Sequence, residues 1–115
     1  MTNDLRLRPC PLEKYLSVLS GAWVPRIIWN LLNVDRPMRF AELQRAIDGV
    51  SARVLTSGLR ILERERLVKR NVLPMSPPQV EYELTERGRE FEPIFRAMEE
   101  AARRLFPPQE SSESQ

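Results

Sequence analysis

Apolar residues recur at helical spacing along most of this chain, and at alternate positions in one short stretch. "PLEKYLSVL" puts Leu12, Tyr15, Leu16 and Leu19 on one helical face, with Pro11 suited to a first helical position and Gly21 to a stop. "AWVPRIIWNLL" is the most apolar segment. It offers Trp23, Ile27, Ile28, Leu31 and Leu32 to a core, and Pro25 requires this helix to begin near it. "NVDRP" predicts a turn, and "MRFAELQRAI" an extended entry and a short helix burying Phe40, Leu43 and Ile47. After a second turn at "DGVS", Ser51 is a good N-cap for a helix carrying Leu55, Leu59 and Leu62. Past Leu67 the period changes. "LVKRNVLP" and "QVEYELT" read as strands, the second alternating Val80, Tyr82 and Leu84 against Glu81 and Glu83. "MSPP" continues neither a helix nor a central strand, so it predicts the tip of a β-hairpin. Thr85 caps a last helix through Phe91, Ile94, Phe95, Met98, Ala102 and Leu105, which Pro93 should kink or divide.

The predicted order is helix, helix, short helix, helix, hairpin, long helix. Two helices joined by a tight turn and followed by a two-stranded hairpin describe a winged helix-turn-helix. The fold class is mainly α with a small β-hairpin (α+β), with additional N- and C-terminal helices for dimerisation. One domain is the natural count at 115 residues. Residues 1–9 are expected to be a flexible arm, 10–106 the folded unit, and 107–115 a disordered polar tail.

The helix after Ser51 carries the most pointed chemistry. At about 100° per residue its three leucines share a narrow arc, and Arg53, Ser57, Arg60 and Arg64 fall nearly opposite, with Thr56 at the edge. Glu63 lies closer to the buried side. From Ser51 to Arg70 there are six basic residues and two acidic ones, although the whole chain carries only +2. Such a footprint suits DNA: the N-terminal half of a recognition helix enters the major groove, and arginine pairs with guanine edges or clamps phosphates. The bland reading is a solvated, arginine-rich helix face. Lys69 and Arg70 begin the wing, where they either meet phosphate or protect an edge strand by charge.

Composition narrows the remaining possibilities. Sixteen of the eighteen basic residues are arginine, whose planar fork favours phosphate and base edges. The single cysteine, Cys10, excludes an intrachain disulfide and fits a reducing, cytoplasmic setting. It precedes Pro11 at a helix start, where a thiol can be reactive; the alternative is an inert thiol. The first residues lack the apolar core of a signal peptide, and no apolar run approaches a membrane span. There is no histidine, no phosphate-cradling glycine loop, no metal-ligand cluster and no nucleophile with a recognisable base, so no enzyme, cofactor or metal is expected. Trp23 and Trp29 sit far from the basic stripe and read as core and interface anchors. The last helix has more apolar surface than one small domain needs. Leu12, Tyr15, Leu16, Phe95, Met98, Ala102 and Leu105 therefore form a candidate homodimer seam, unless the helix only folds back over its own core. A dimer would place two recognition helices about 34–36 Å apart, matching successive major grooves.

The segments "CPLEKYLSVLSGAW", "RFAELQRAIDGVSARVLTSGLRILERERLVKR" and "PPQVEYELTERG" together resemble the HxlR-type winged-helix transcriptional regulators, distant relatives of the MarR type. The resemblance runs from Cys10 to about Leu105. It implies a cytoplasmic dimer on palindromic operator DNA, and in some members a response to electrophiles or oxidants through the N-terminal cysteine. The DNA-contacting set is then Arg39, Ser51, Arg53, Thr56, Ser57, Arg60, Arg64, Lys69 and Arg70. The chain departs from that pattern at Ala22, where a basic residue is usual and Arg26 is a candidate substitute, at Ser57-Gly58, and at Arg66, where a glycine commonly ends the recognition helix. If that position needs positive φ, arginine costs ~1 kcal/mol relative to glycine. Ala22, Gly58 and the acidic wing strand also motivate the second reading, a winged-helix protein-interaction module without DNA binding.

Overall fold

A computed structural model describes residues 10–21 and 23–108. Helix α1 spans Pro11–Leu19 and α2 Val24–Val34; strand β1 is Met38–Arg39; α3 is Phe40–Ala46 and α4 Ala52–Arg64. Strands β2 (Val68–Leu73) and β3 (Gln79–Leu84) precede α5 (Glu86–Arg89) and α6 (Phe91–Leu105). The expected arm, most of the expected tail and Ala22 lie outside the described residues.

The core is made where α2, α3 and α4 converge on the sheet. Ile27, Ile28, Leu31, Leu43, Ile47, Leu55, Leu59 and Leu62 are fully or almost fully buried. Phe40, expected among them, is only half-buried, as is Trp23. The hairpin is part of a three-stranded antiparallel sheet in the order β1-β3-β2, because the extended entry at Met38 pairs with Tyr82. In the hairpin Val68 faces Leu84 and Lys69 faces Glu83. The alternation holds: Tyr82 and Leu84 are buried and Val80 is half-buried.

Gly49 turns the chain between α3 and α4 at φ 88°, a conformation glycine adopts without steric penalty. The long helix expected from Thr85 is divided, as expected, although upstream of Pro93 itself. The helices divide at Glu90, and Pro93 falls in the first turn of α6, where a missing N–H costs nothing. Arg87 and Arg89 make contacts outside their own helix. Arg89 binds Asp35 at 2.8 Å, and Arg87 Nε donates to the Glu65 carbonyl at 3.0 Å.

Phe95 is a correction to the expected dimer seam: it is buried in the chain's own core, edge-on to Phe91 at 5.6 Å. The i to i+4 step from Phe91 carries it to the inner face. The rest of that set stays exposed, with Leu12 63%, Leu16 63%, Met98 53% and Leu105 70% accessible, far above what a helix leaves open when it covers its own core. Trp29 is also partly exposed, with the Arg96 guanidinium 5.7 Å from its ring. No helix among the described residues is long and apolar enough to cross a membrane.

Candidate nucleic-acid interface

Helix α4 is fixed at both ends. At its start the Ser51 hydroxyl accepts from Val54 N at 3.2 Å. At its end Arg66 takes φ 63°, Arg66 N donates to Glu63 O, and Leu67 N donates to Leu62 O, both at 2.9 Å. This is the Schellman arrangement, which glycine usually completes. Arginine is held there by the chain leaving the hairpin: Thr85 Oγ1 donates to Arg66 O at 2.7 Å, and Thr85 N to Leu67 O at 3.1 Å. Gly88 lies so close that a Cβ would collide with the Leu67 carbonyl oxygen. The wing and α5 are thereby locked to the end of α4.

With one side buried, the other side of α4 is open. Arg53, Thr56, Ser57, Arg60 and Arg64 line one shallow depression with Ile61. Thr56 is half-buried and the other four polar residues are exposed. Among the described residues, the guanidinium groups of Arg53, Arg60 and Arg64 have no carboxylate within ion-pair distance. Of the Ser57-Gly58 departure, Gly58 lies on the buried side and only Ser57 falls in the exposed stripe.

The wing differs. Lys69 Nζ lies 3.5 Å from Glu83 Oε2, its cross-strand partner, and the same oxygen accepts from Asn71 Nδ2 at 3.0 Å. Both readings of Lys69, phosphate contact and edge protection by charge, must reckon with this cross-strand pairing. Arg70 is exposed and has no such partner among the described residues.

Arg39 sits at the N-terminus of α3. Its backbone N–H donates to Glu42 Oε1 at 2.9 Å, and Arg36 grips the same carboxylate with two N–H groups at 3.3 and 3.1 Å. The Arg36 hydrogen bonds, then the Arg39 backbone, hold the Glu42 carboxyl below its ordinary range; Glu42 raises Arg36 in turn. A groove between α3 and the start of β3 exposes Arg39 together with Arg45. Arg45 was not singled out from the sequence, because its position beside the wing depends on how β3 packs. Arg26, the suggested substitute for a basic residue at position 22, lies over the Trp23 ring at 5.2 Å.

Cys10 is an exposed free thiol at the N-cap of α1, outside the basic surface. That helix touches the end of α4 through Lys14 Nζ and Glu65 Oε1, 3.4 Å apart.

Comparison with known proteins bears on this geometry. The model of the HxlR-like helix-turn-helix family matches residues 18–110. The HTH-type transcriptional regulator YvaP of Bacillus subtilis is 42% identical over 87 residues, 75% of this chain and 79% of that protein. Among solved structures, the reduced form of the transcriptional regulator YodB from B. subtilis has a TM-score of 0.76 at 35% identity, covering 89% of this chain and 99% of that one. The redox regulator HypR in its oxidized form has a TM-score of 0.72 at 40% identity, covering 81% and 94%.

Proposed function

We propose a mode of action for a chain that belongs to the HxlR-like helix-turn-helix family and is a transcriptional regulator. The protein binds palindromic operator DNA as a homodimer, with α4 in the major groove. The carrying observation is the solvent-open stripe of Arg53, Ser57, Arg60 and Arg64 opposite a leucine side buried in the core. Arg53 and Arg60 read base edges, and Thr56 and Ser57 are short enough to let the helix approach. The N-terminus of α4 with Ser51, together with Arg39, Arg45, Arg64 and Arg70, holds the phosphate backbone. Lys69 makes a smaller contribution because Glu83 competes for it. The exposed apolar faces around Leu12, Leu16, Met98, Ala102 and Leu105 support dimerisation, with half-exposed Tyr15 alongside.

Cys10 is the thiol through which an oxidant or electrophile acts. Its exposure and the contact of α1 with the end of α4 support this, as does similarity to solved redox regulators. With one cysteine per chain, a disulfide joins two chains or takes up a small thiol. The reading as an interaction module without DNA draws on one observation, the neutralised Lys69; the unpaired arginines of α4 weigh against it.

A nuclease footprint on the DNA flanking the gene, with and without peroxide, tests the proposal. The expected result is symmetric protection of two half-sites about one helical turn apart. Peroxide should change it in the native protein and not in Cys10→Ser. Absence of any protected site, with one stoichiometric protein partner recovered instead, would overturn DNA binding.

A further inference from the structure

An open depression lies at the root of the wing, where the residues after α4, the start of β2, the end of β3 and α5 meet. It shares no lining residue with the stripe of Arg53, Ser57, Arg60 and Arg64. Its charged lining is Arg66, Lys69, Arg87 and Arg89 against Glu83 and Glu86.

Pairing decides which of these groups can meet an occupant. Lys69 is engaged by Glu83, and Arg89 by Asp35 at the end of α2. Arg87 commits its Nε–H to the Glu65 carbonyl, and its terminal nitrogens have no partner among the described residues. The exposed Arg66 guanidinium has no partner among them either. Glu86 is likewise unpaired. Two available guanidinium groups therefore outweigh one available carboxylate.

Arg66 is also the lining residue that backbone preference explains least. It stands at φ 63°, where glycine is free and an L side chain meets its own carbonyl. Strain of this kind persists where the neighbouring structure enforces it, and it clusters at ligand clamps. Each guanidinium offers a planar fork of N–H donors that matches phosphate oxygens, so two forks can share one tetrahedral anion. A phosphomonoester carries close to two negative charges at neutral pH, enough to favour this site despite Glu86. We propose that the root of the wing binds the phosphate group of a small soluble phosphomonoester, bridged between Arg66 and Arg87. The bridge ties the end of the recognition helix to α5.

The test uses the full chain without DNA, so its outcome is independent of the operator-binding proposal. Methyl phosphate is titrated at constant ionic strength and followed by NMR of the arginine Nε–H groups and the backbone amides. Saturable shifts are expected at the Arg66 and Arg87 side chains and the Leu67 and Glu86 amides, with a melting temperature that rises with ligand. Singly charged acetate should bind about tenfold or more weakly. Arg66→Gly, which removes one fork and relieves the backbone, and Arg87→Gln, which removes the other, should each weaken methyl phosphate by a similar factor. Glu86→Gln should strengthen it severalfold. A separate arm separates a soluble ligand from the DNA backbone as the source of the phosphate: Arg66→Gly should leave the salt dependence of operator binding unchanged. No saturable binding, equal binding of acetate, undiminished binding in both arginine variants, or a salt slope reduced by about one ion in Arg66→Gly would overturn the proposal.

Discussion

On α4, Arg53, Arg60 and Arg64 reach solvent with no carboxylate within ion-pair distance among the described residues, whereas on β2 the Lys69 ammonium lies 3.5 Å from Glu83 across the ladder. Both segments look equally basic when charges are counted along the chain. They differ because an α-helix with one buried face sends its carboxylates elsewhere, while a strand places each residue opposite a fixed partner. An exposed ion pair contributes only about 0–1 kcal/mol to stability, yet a cation engaged in one must exchange its partner before meeting phosphate. Positive charge marks a candidate DNA surface only after its pairing is known.

The comparison is broken most forcefully from the core. Leu59 is 1% exposed beneath the arginine stripe, so Leu59→Ala should cost about 2–5 kcal/mol in urea unfolding. Val72→Ala on the wing, where the side chain is 56% exposed, should stay within about 0.5 kcal/mol. Equal effects would mean that α4 is not anchored as described. At the joint between the two regions, Arg66→Gly relieves an arginine held at φ 63° and should raise stability by up to about 1 kcal/mol, read as a higher melting temperature. A drop would show that the side chain does more there than occupy a glycine position.

The wing can be made to resemble the helix. Glu83→Gln removes the carboxylate beside Lys69, so the salt dependence of DNA binding should steepen by up to about one released ion. An unchanged slope would place Lys69 away from the phosphates altogether. The smallest expected effect is in the acid limb. Glu42 has its folded-state pKa depressed by Arg36, so its contribution to stability is present above the unfolded carboxylate value and lost as pH falls through the depressed one. Glu42→Gln should melt slightly below the native protein at neutral pH, and the gap should close as pH falls through that acidic window.

Much of this was legible in the sequence because it rests on local periodicity. The arc of Leu55, Leu59 and Leu62 predicted the open stripe, and Ser51 and Thr85 cap where their hydroxyls suggested. What escaped depends on long-range placement. Met38–Arg39 is too short to show a strand period, and only its pairing with β3 makes it one. The commitment of Lys69 required the hairpin register, and Phe95 moved from seam to core because Phe91 sets the inner face of α6. The link between α1 and the end of α4 joins residues 51 positions apart, which no local pattern reveals.

The account turns on whether the unpaired arginines of α4 read DNA. Fluorescence anisotropy with the footprinted operator and its single-base variants, across several salt concentrations, compares the native protein with Arg53→Ala, Arg60→Ala and Lys69→Ala. Each α4 variant should lose about 1–3 kcal/mol of discrimination at its own base position, while Lys69→Ala should leave the base preferences unchanged. Intact affinity and intact sequence preference in both α4 variants would contradict the account.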